Sequence, residues 1–467
     1  MSKLTIEELE KHRDALPFKL HDWQWDDVLA AQAFDRAALF LPVGSGKTVI
    51  ATLTALGWND PHVIVILPPI LIKQWCTWLN AIPNSGGALA YKGTPKQRHD
   101  LPVENYKWLV MSMDIFKIDF DLLHSYYFDK EVTTIVDEAQ NIKNSSSKNF
   151  KKVQSISAAS KLLLATGTEL NSPADAYGYI KLKTKDVYRS FNHFQNLHVA
   201  EVDFFNKPTK WQDVELIAHN LYLQSAKRTK EEVHAHLPKA TYVPIEYDLA
   251  PAHLKLYKKL VDEMLLELPS GAKIDATTAS ALYNKSQQII CNWGDFAGDP
   301  SLEPAAFDII DQVLDETSHG QPGASKLIIW TWFVKTTEAA LAHCNKRFPG
   351  AAVAAYSKAD SQKSVARFLE DPTCTILVAQ PGSAGAGLNP QHLCWEMLFL
   401  EAPTRSIPFK QAAGRVDREG QKYNPTIRVA MAANTIQCSM FRNLLSNDKE
   451  VMQIQSEKDL RSAIYGL

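Results

Sequence analysis

Leu41-Pro42-Val43-Gly44-Ser45-Gly46-Lys47-Thr48 is the stretch that decides the fold of this chain. An apolar run, Ala37–Leu41, leads into it, and a helical pattern, Val49–Leu56, follows. A strand, a glycine-bearing loop and a helix in that order can cradle phosphate. Glycines let successive backbone N–H groups curl around phosphate oxygens, and the helix N-terminus adds the positive end of its dipole. Gly44, Ser45 and Gly46 then form the cradle, Lys47 reaches the β- and γ-phosphates, and the Thr48 hydroxyl binds Mg2+. The full phosphate-loop pattern starts with glycine, and Leu41 stands in that place. The reading therefore depends on what the rest of the chain supplies.

Two further segments supply it. Thr134-Ile135-Val136-Asp137-Glu138-Ala139-Gln140 is an apolar strand ending in two carboxylates. Asp137 is placed to hold Mg2+, directly or through water, and Glu138 to orient and deprotonate an attacking water. About 370 residues beyond Lys47, Gln411 through Gln421 carries Gln411, Arg415 and Arg418 at spacings that share one face if the segment is helical. Two arginines that reach a triphosphate neutralise charge on the transferring phosphoryl group, an effect worth about 10³–10⁵ in rate. A nucleotide held between two halves of the chain is the arrangement these segments predict.

Short apolar runs alternate with helical patterns, the rhythm of parallel α/β architecture. In the first half the predicted strands are Ala37–Leu41, Val63–Leu67, Trp108–Met111, Thr133–Val136 and Lys161–Ala165. In the second half they are Lys326–Trp330, Ala351–Tyr356, Cys374–Ala379, Met397–Leu400 and Thr426–Ala430. Two sheets of about five strands imply two similar lobes. From about 171 to 323 the strand rhythm is missing and the pattern is mainly helical. The predicted organisation is a nucleotide-binding lobe over 1–240 with a helical insertion near 171–235, a helical linker over 241–323, and a second lobe with a helical tail over 324–467. Gly320-Gln321-Pro322-Gly323 reads as the hinge before the second sheet.

At 467 residues the chain is too long for one ordinary core. Its hydrophobic fraction of 45% and charged fraction of 22% are those of a soluble globular protein. No apolar run reaches the length of a membrane span. The opening MSKLTIEELEKHRDALPF is polar and charged rather than a secretory signal. A cytoplasmic protein is expected, or a nuclear one in a eukaryote. Six scattered cysteines without a C-x-x-C pair read as reduced buried thiols, and no H-E-x-x-H spacing points to zinc. A net charge of −2 does not advertise nucleic-acid binding, but a basic groove can sit on a neutral body. Lys143, Lys148, Lys151 and Lys152 form one basic cluster, and Lys181, Lys183, Lys185 and Arg189 a second. Lys227, Arg228 and Lys230 form a third, and Lys255, Lys258 and Lys259 a fourth. Each reads first as a solvated face.

Taken in order, these segments resemble those of the superfamily-two helicases, and within them the Swi/Snf-type DNA-dependent ATPases, over residues of about 18 to 437. Leu20-His21-Asp22-Trp23-Gln24 looks like the glutamine motif, which implies that Gln24 reads adenine. Pro68-Pro69-Ile70-Leu71-Ile72-Lys73-Gln74-Trp75 is similar to motif Ia. Val136 through Asn144, with D-E-A-Q followed by I-K-N, is close to motif II in its Swi/Snf-type form. Ala165-Thr166-Gly167-Thr168 followed by Asn171 looks like motif III. Lys227-Arg228-Thr229-Lys230 before Leu237-Pro238 is similar to the R-R-T-K…L-P stretch, and Gln288 through Asn292 to the Q-I-C-N segment. Gly385-Ala386-Gly387-Leu388-Asn389 resembles motif V, and Gln411 through Gln421 matches motif VI at every defining position.

The resemblance implies an α/β fold of two RecA-like parallel-sheet lobes in tandem, using ATP and Mg2+. It adds Gln140, Gly387 and Gln411 to the nucleotide-binding set. It also implies nucleic-acid contacts at Pro68, Lys73, Gln74, Thr166 and Ser383, with Trp332 nearby. Three positions depart from the pattern. Gln140 replaces the usual His, Glu169 stands where Pro follows T-G-T, and Gln380-Pro381-Gly382-Ser383 replaces a Ser-Thr-Arg run in motif V. The function expected is ATP-driven movement along double-stranded or branched DNA by a compact motor of bacterial or phage type. Branch migration, fork remodelling and protein displacement are its possible outcomes. The alternatives are a strand-separating DNA helicase or the motor subunit of a larger DNA-processing or defence complex.

Overall fold

A computed structural model describes residues 2–445. The exceptions are 159, 168–169, 171, 203–207, 234, 236, 264, 268–272, 276–278, 300, 358–359, 385–387, 402 and 404–405. The expected motif positions Thr168, Glu169, Asn171 and Gly387 lie outside the described residues, as does the expected tail beyond 445. The chain divides into two compact units, Met1–Ala235 and His236–Leu467. Among the described residues no helix is long and apolar enough to cross a membrane.

The first unit is built on a seven-stranded sheet. Its strands are β1 (Arg36–Phe40), β2 (His62–Leu67), β3 (Ala88–Ala90), β4 (Trp108–Ser112), β5 (Val132–Asp137), β6 (Lys161–Thr166) and β9 (Ser225–Lys227). They lie in the order β3-β4-β2-β5-β6-β1-β9, and every pairing is parallel. β7 (Val199–Val202) and β8 (Pro208–Trp211) form a separate antiparallel pair.

Both faces of this sheet are covered, which is why its strands read as unbroken apolar runs. Ala37 and Leu39 of β1 and Val63 and Val65 of β2 enter one core. Ala38, Phe40, Ile64 and Ile66 enter the core on the opposite face. Parallel register levels the C-terminal ends, with Phe40 opposite Thr166 and Asp137 opposite Ala165. The loops leaving β1, β5 and β6 therefore start side by side, which is where a doubly wound sheet assembles its site.

The second unit holds a six-stranded parallel sheet. Its strands are β10 (Thr241–Tyr247), β13 (Lys326–Trp330), β14 (Ala352–Ala355), β15 (Ile376–Ala379), β16 (Cys394–Phe399) and β17 (Thr426–Ala432). The order is β10-β17-β16-β13-β15-β14. β11 (Leu265–Glu267) and β12 (Lys273–Asp275) pair antiparallel apart from it.

All ten predicted strands are present, and the stretch from 171 to 323 differs from the expectation of a mainly helical region. It does contain helices, among them Ala176–Lys183, Val214–Tyr222, Pro251–Glu263, Ala279–Cys291 and Ala306–Glu316. It also supplies β9 to the first sheet and β10 to the second. Tyr257, Leu260, Ile289 and Ile310 from this stretch are buried in the same core as β13 and β16.

Candidate nucleotide-binding site

The phosphate loop folds as its glycines require. Gly44 and Gly46 have φ of 83° and 79°, left-handed values that glycine adopts without steric cost. Gly46 caps the Lys47–Trp58 helix, so Lys47 and Thr48 stand in its first turn. The Lys47 ammonium donates to the carbonyls of Leu41 and Pro42, each at 3.0 Å, and so folds back across its own loop. Gln24 packs under the loop. Its Nε2 donates to the Ser45 carbonyl at 2.9 Å while its Oε1 accepts from the His21 amide at 3.0 Å. The side chain expected to read adenine thus has its amide engaged with the loop backbone.

The two carboxylates occupy different surroundings. Asp137 ends β5 and is buried. Its Oδ2 accepts from the Trp75 indole at 3.1 Å and its Oδ1 from the Glu138 amide at 2.9 Å. Burial and the neighbouring Glu138 charge push it up to about 6, against the pull of Lys47 and the two hydrogen bonds. Glu138 takes a left-handed backbone, φ 53°, at the turn out of the strand. A non-glycine residue held there stores strain of the kind that clusters at functional sites. The Glu138 Oε2 accepts from Gln140 Nε2 at 2.6 Å, and Gln140 Oε1 accepts from the Thr166 hydroxyl at 2.7 Å. Glu138, Gln140 and Thr166 thereby form one line from the end of β5 to the end of β6.

The Thr48 hydroxyl and the Asp137 carboxylate are hard oxygen donors suited to Mg2+. Each Asp137 oxygen that accepts one hydrogen bond keeps a lone pair for such a cation. Among the described residues no cluster of three or more His, Cys, Asp or Glu side chains could hold a metal by itself. When bound, the ion would neutralise phosphate charge.

Several expected residues are placed differently from the sequence reading. Thr166 is fully buried and bonded to Gln140, so it is a link inside the site rather than an exposed contact for nucleic acid. Ser383 donates its hydroxyl to the Tyr356 carbonyl at 2.8 Å, which ties it to the second unit's own backbone. Pro68 is part-exposed, and Lys73 and Gln74 are exposed on the first turn of the Ile72–Ala81 helix.

Arg415 and Arg418 do not share a helix with Gln411. The Ser406–Ala413 helix stops before them, and the chain tightens into successive turns, with Arg415 N bonded to Ala412 O and Gln421 N to Arg418 O. Arg418 donates to Asn389, and burial pulls its guanidinium down from its usual value. Gln421 binds the carbonyls of Cys394 and Val416 and accepts from the amides of Lys422 and Tyr423. That last glutamine of the motif folds the turn.

The pattern describing the SNF2-related domain matches residues 21–293, more than half of the chain, and that span contains the loop, both carboxylates and Gln140. The chain belongs to the SNF2-related domain family. An uncharacterized ATP-dependent helicase of Mycoplasma pneumoniae is 23% identical over 436 residues, covering 89% of this chain. Nuclear protein STH1/NPS1 of Saccharomyces cerevisiae is 25% identical over 302 residues, covering 58%. The uncharacterized ATP-dependent helicase YqhH of Bacillus subtilis is 22% identical over 442 residues, covering 86%. The chain spans 39%, 21% and 73% of those three proteins' lengths.

Within the SNF2-related fold, three contacts around the site join residues far apart in the sequence. Trp75 grips Asp137 from the helix after β2. Trp78 donates to the Thr52 hydroxyl at 3.1 Å, and Thr52 donates to the Thr48 carbonyl at 2.8 Å. Lys143 pairs with Asp175 at 2.6 Å instead of facing solvent. Gly178 lets that segment close in, because a Cβ there would stand 2.0 Å from the Lys143 carbonyl.

Proposed function

We propose that this chain hydrolyses ATP with Mg2+ and couples the hydrolysis to movement along double-stranded DNA. The observation that carries the proposal is the line Glu138–Gln140–Thr166, beside a buried Asp137 and the Lys47 loop. Glu138 would orient and deprotonate the attacking water. Asp137 and Thr48 would hold the ion, and Lys47 would leave its loop carbonyls for the β- and γ-phosphates. Arg415 and Arg418 would supply charge to the transferring phosphoryl group. Family membership and the names of the helicase relatives support ATP use. Exposed Lys73 and Gln74 offer a backbone contact that carries position rather than sequence, with an affinity that falls as salt rises.

The test is ATP hydrolysis with and without duplex DNA. Stimulation by duplex in the wild type, lost in Lys47→Ala and Glu138→Gln, is the expected outcome. Undiminished hydrolysis in both variants would overturn the site. Displacement of a triplex strand without unwinding of a forked duplex would support movement along intact DNA. Efficient unwinding of the fork would favour a strand-separating helicase instead.

A further inference from the structure

Arg228 touches the two elements that support the phosphate loop. Its backbone N–H donates at 3.2 Å to the carbonyl of Phe40, the last residue of β1, from which the loop departs. Its guanidinium reaches the Asp22–Gln32 helix, where Nε and Nη2 donate to Asp27 Oδ1 at 3.0 and 2.9 Å. Three residues earlier, on the same face of that helix, stands Gln24, whose amide donates to Ser45. The approach is close, for a Cβ on Gly46 would lie 2.6 Å from Gln24 Nε2. The Gln24 contact is therefore sensitive to small shifts of its helix.

We propose that Arg228 is a positioning residue for the nucleotide site, tying Asp27 to the end of β1 and so holding Gln24 against the phosphate loop. The proposal rests on the reading of that loop as an ATP site. Asp27 is 3% exposed, and its second oxygen has no partner among the described residues. Burial raises the carboxylate against the opposing pull of Arg228. Without the guanidinium, Asp27 either takes up a proton or turns toward water, and in both cases its helix loses the tie. A lysine would return the charge but not the planar pair of donors. Past Arg228 the chain makes one capped turn, with Thr229 N bonded to Glu232 and Glu232 N to Thr229, and the first unit ends at Ala235. A displacement of that segment acts on the loop through the same residue.

Arg228→Met, Arg228→Lys and Asp27→Asn in the full chain test this. The measurements are hydrogen exchange at residues 44–47 without nucleotide, binding of a fluorescent ADP, and kcat at saturating ATP. Expected in Arg228→Met are faster exchange in the loop, ADP binding weaker on the order of tenfold, and an unchanged kcat. Asp27→Asn should match it, and Arg228→Lys should recover part of the loss. If Arg228→Met does not fold, the other two decide. Exchange and binding equal to wild type in both would overturn the proposal. A wild-type chain that binds no adenine nucleotide would sink the ATP-site reading. Exchange in the loop would still report whether Arg228 holds it.

Discussion

The indole N–H of Trp75 donates to Oδ2 of Asp137 at 3.1 Å, and both side chains are buried. The helix that carries Trp75 presents Gln74 and Lys73 to solvent one and two residues away. A contact made on its outer face is thus joined to the carboxylate assigned to Mg2+. Trp75→Phe keeps most of the ring and removes the donor. A loss of about 1.5–3 kcal/mol, the usual worth of a hydrogen bond to a charged group, should appear in kcat/KM for Mg-ATP. Steady-state kinetics check it, and an unchanged kcat/KM would show that the bond plays no part.

Asp137 also sets a pH dependence. Its value rises from 3.8 to about 6, chiefly through burial and then through the Glu138 charge. If Asp137 holds Mg2+ as proposed, the free protein must lose that proton first, so kcat/KM should fall as pH drops through about 6. Stability runs the other way. A raised carboxyl value means the folded form binds the proton more tightly. This contribution is full below 3.8 and is lost as pH rises through about 6. In Trp75→Phe the acid limb should move toward neutral pH, because a bond that favours the ionised form is gone. A limb in the same place in both proteins would contradict the assignment.

Gln140 joins Glu138 to Thr166, so breaking it at either end should have the same consequence. Gln140→Ala and Thr166→Val should each lower DNA-stimulated hydrolysis more than hydrolysis without DNA. The double variant should lose little beyond either single one, since both remove one line of contacts. Losses that add fully would mean that the two residues act separately.

How much was legible in the sequence follows from what each signal encodes. Strands buried on both faces announce themselves as apolar runs, so β1, β2, β5, β6, β13 and β15 could be read directly. β10 could not. It lies at the sheet edge, alternates half-buried and exposed residues, and contains Pro244, which breaks the usual strand signal. β9 has three residues, too few for any period to show. The loop after β1 and the Asp137–Glu138 turn after β5 could be located because glycines and paired carboxylates at strand ends leave a local pattern. The grip of Trp75 on Asp137 and of Arg228 on Asp27 joins residues 62 and 201 positions apart, and no local pattern records such a contact. The arginine pair shows the opposite failure. Its i, i+3 spacing suits a helix, but the helix ends at Ala413 and the turns beyond it place both side chains.

Lys183 is the clearest case of a residue whose neighbours in sequence mislead. It sits in a run of basic residues, yet it is 2% exposed and no carboxylate faces it among its hydrogen-bond partners. Its ammonium donates to the carbonyls of Leu221 and Leu223 and to the Ser225 hydroxyl, fastening the end of the Val214–Tyr222 helix to β9. Burial lowers it from 10.5 to about 7. A base whose folded value is depressed costs the folded state proton binding. Its penalty is full below about 7 and is relieved as pH rises toward 10.5. Lys183→Met removes the charge and leaves the three acceptors without this donor. At pH near 9 the variant should be less stable by about 1–3 kcal/mol, the cost of leaving buried groups unpaired. Toward pH 6 the difference should shrink, because only the wild type then carries a buried charge. Urea unfolding of both proteins across that range, with hydrogen exchange followed at β9, measures it, and parallel stability curves would refute the role given to Lys183.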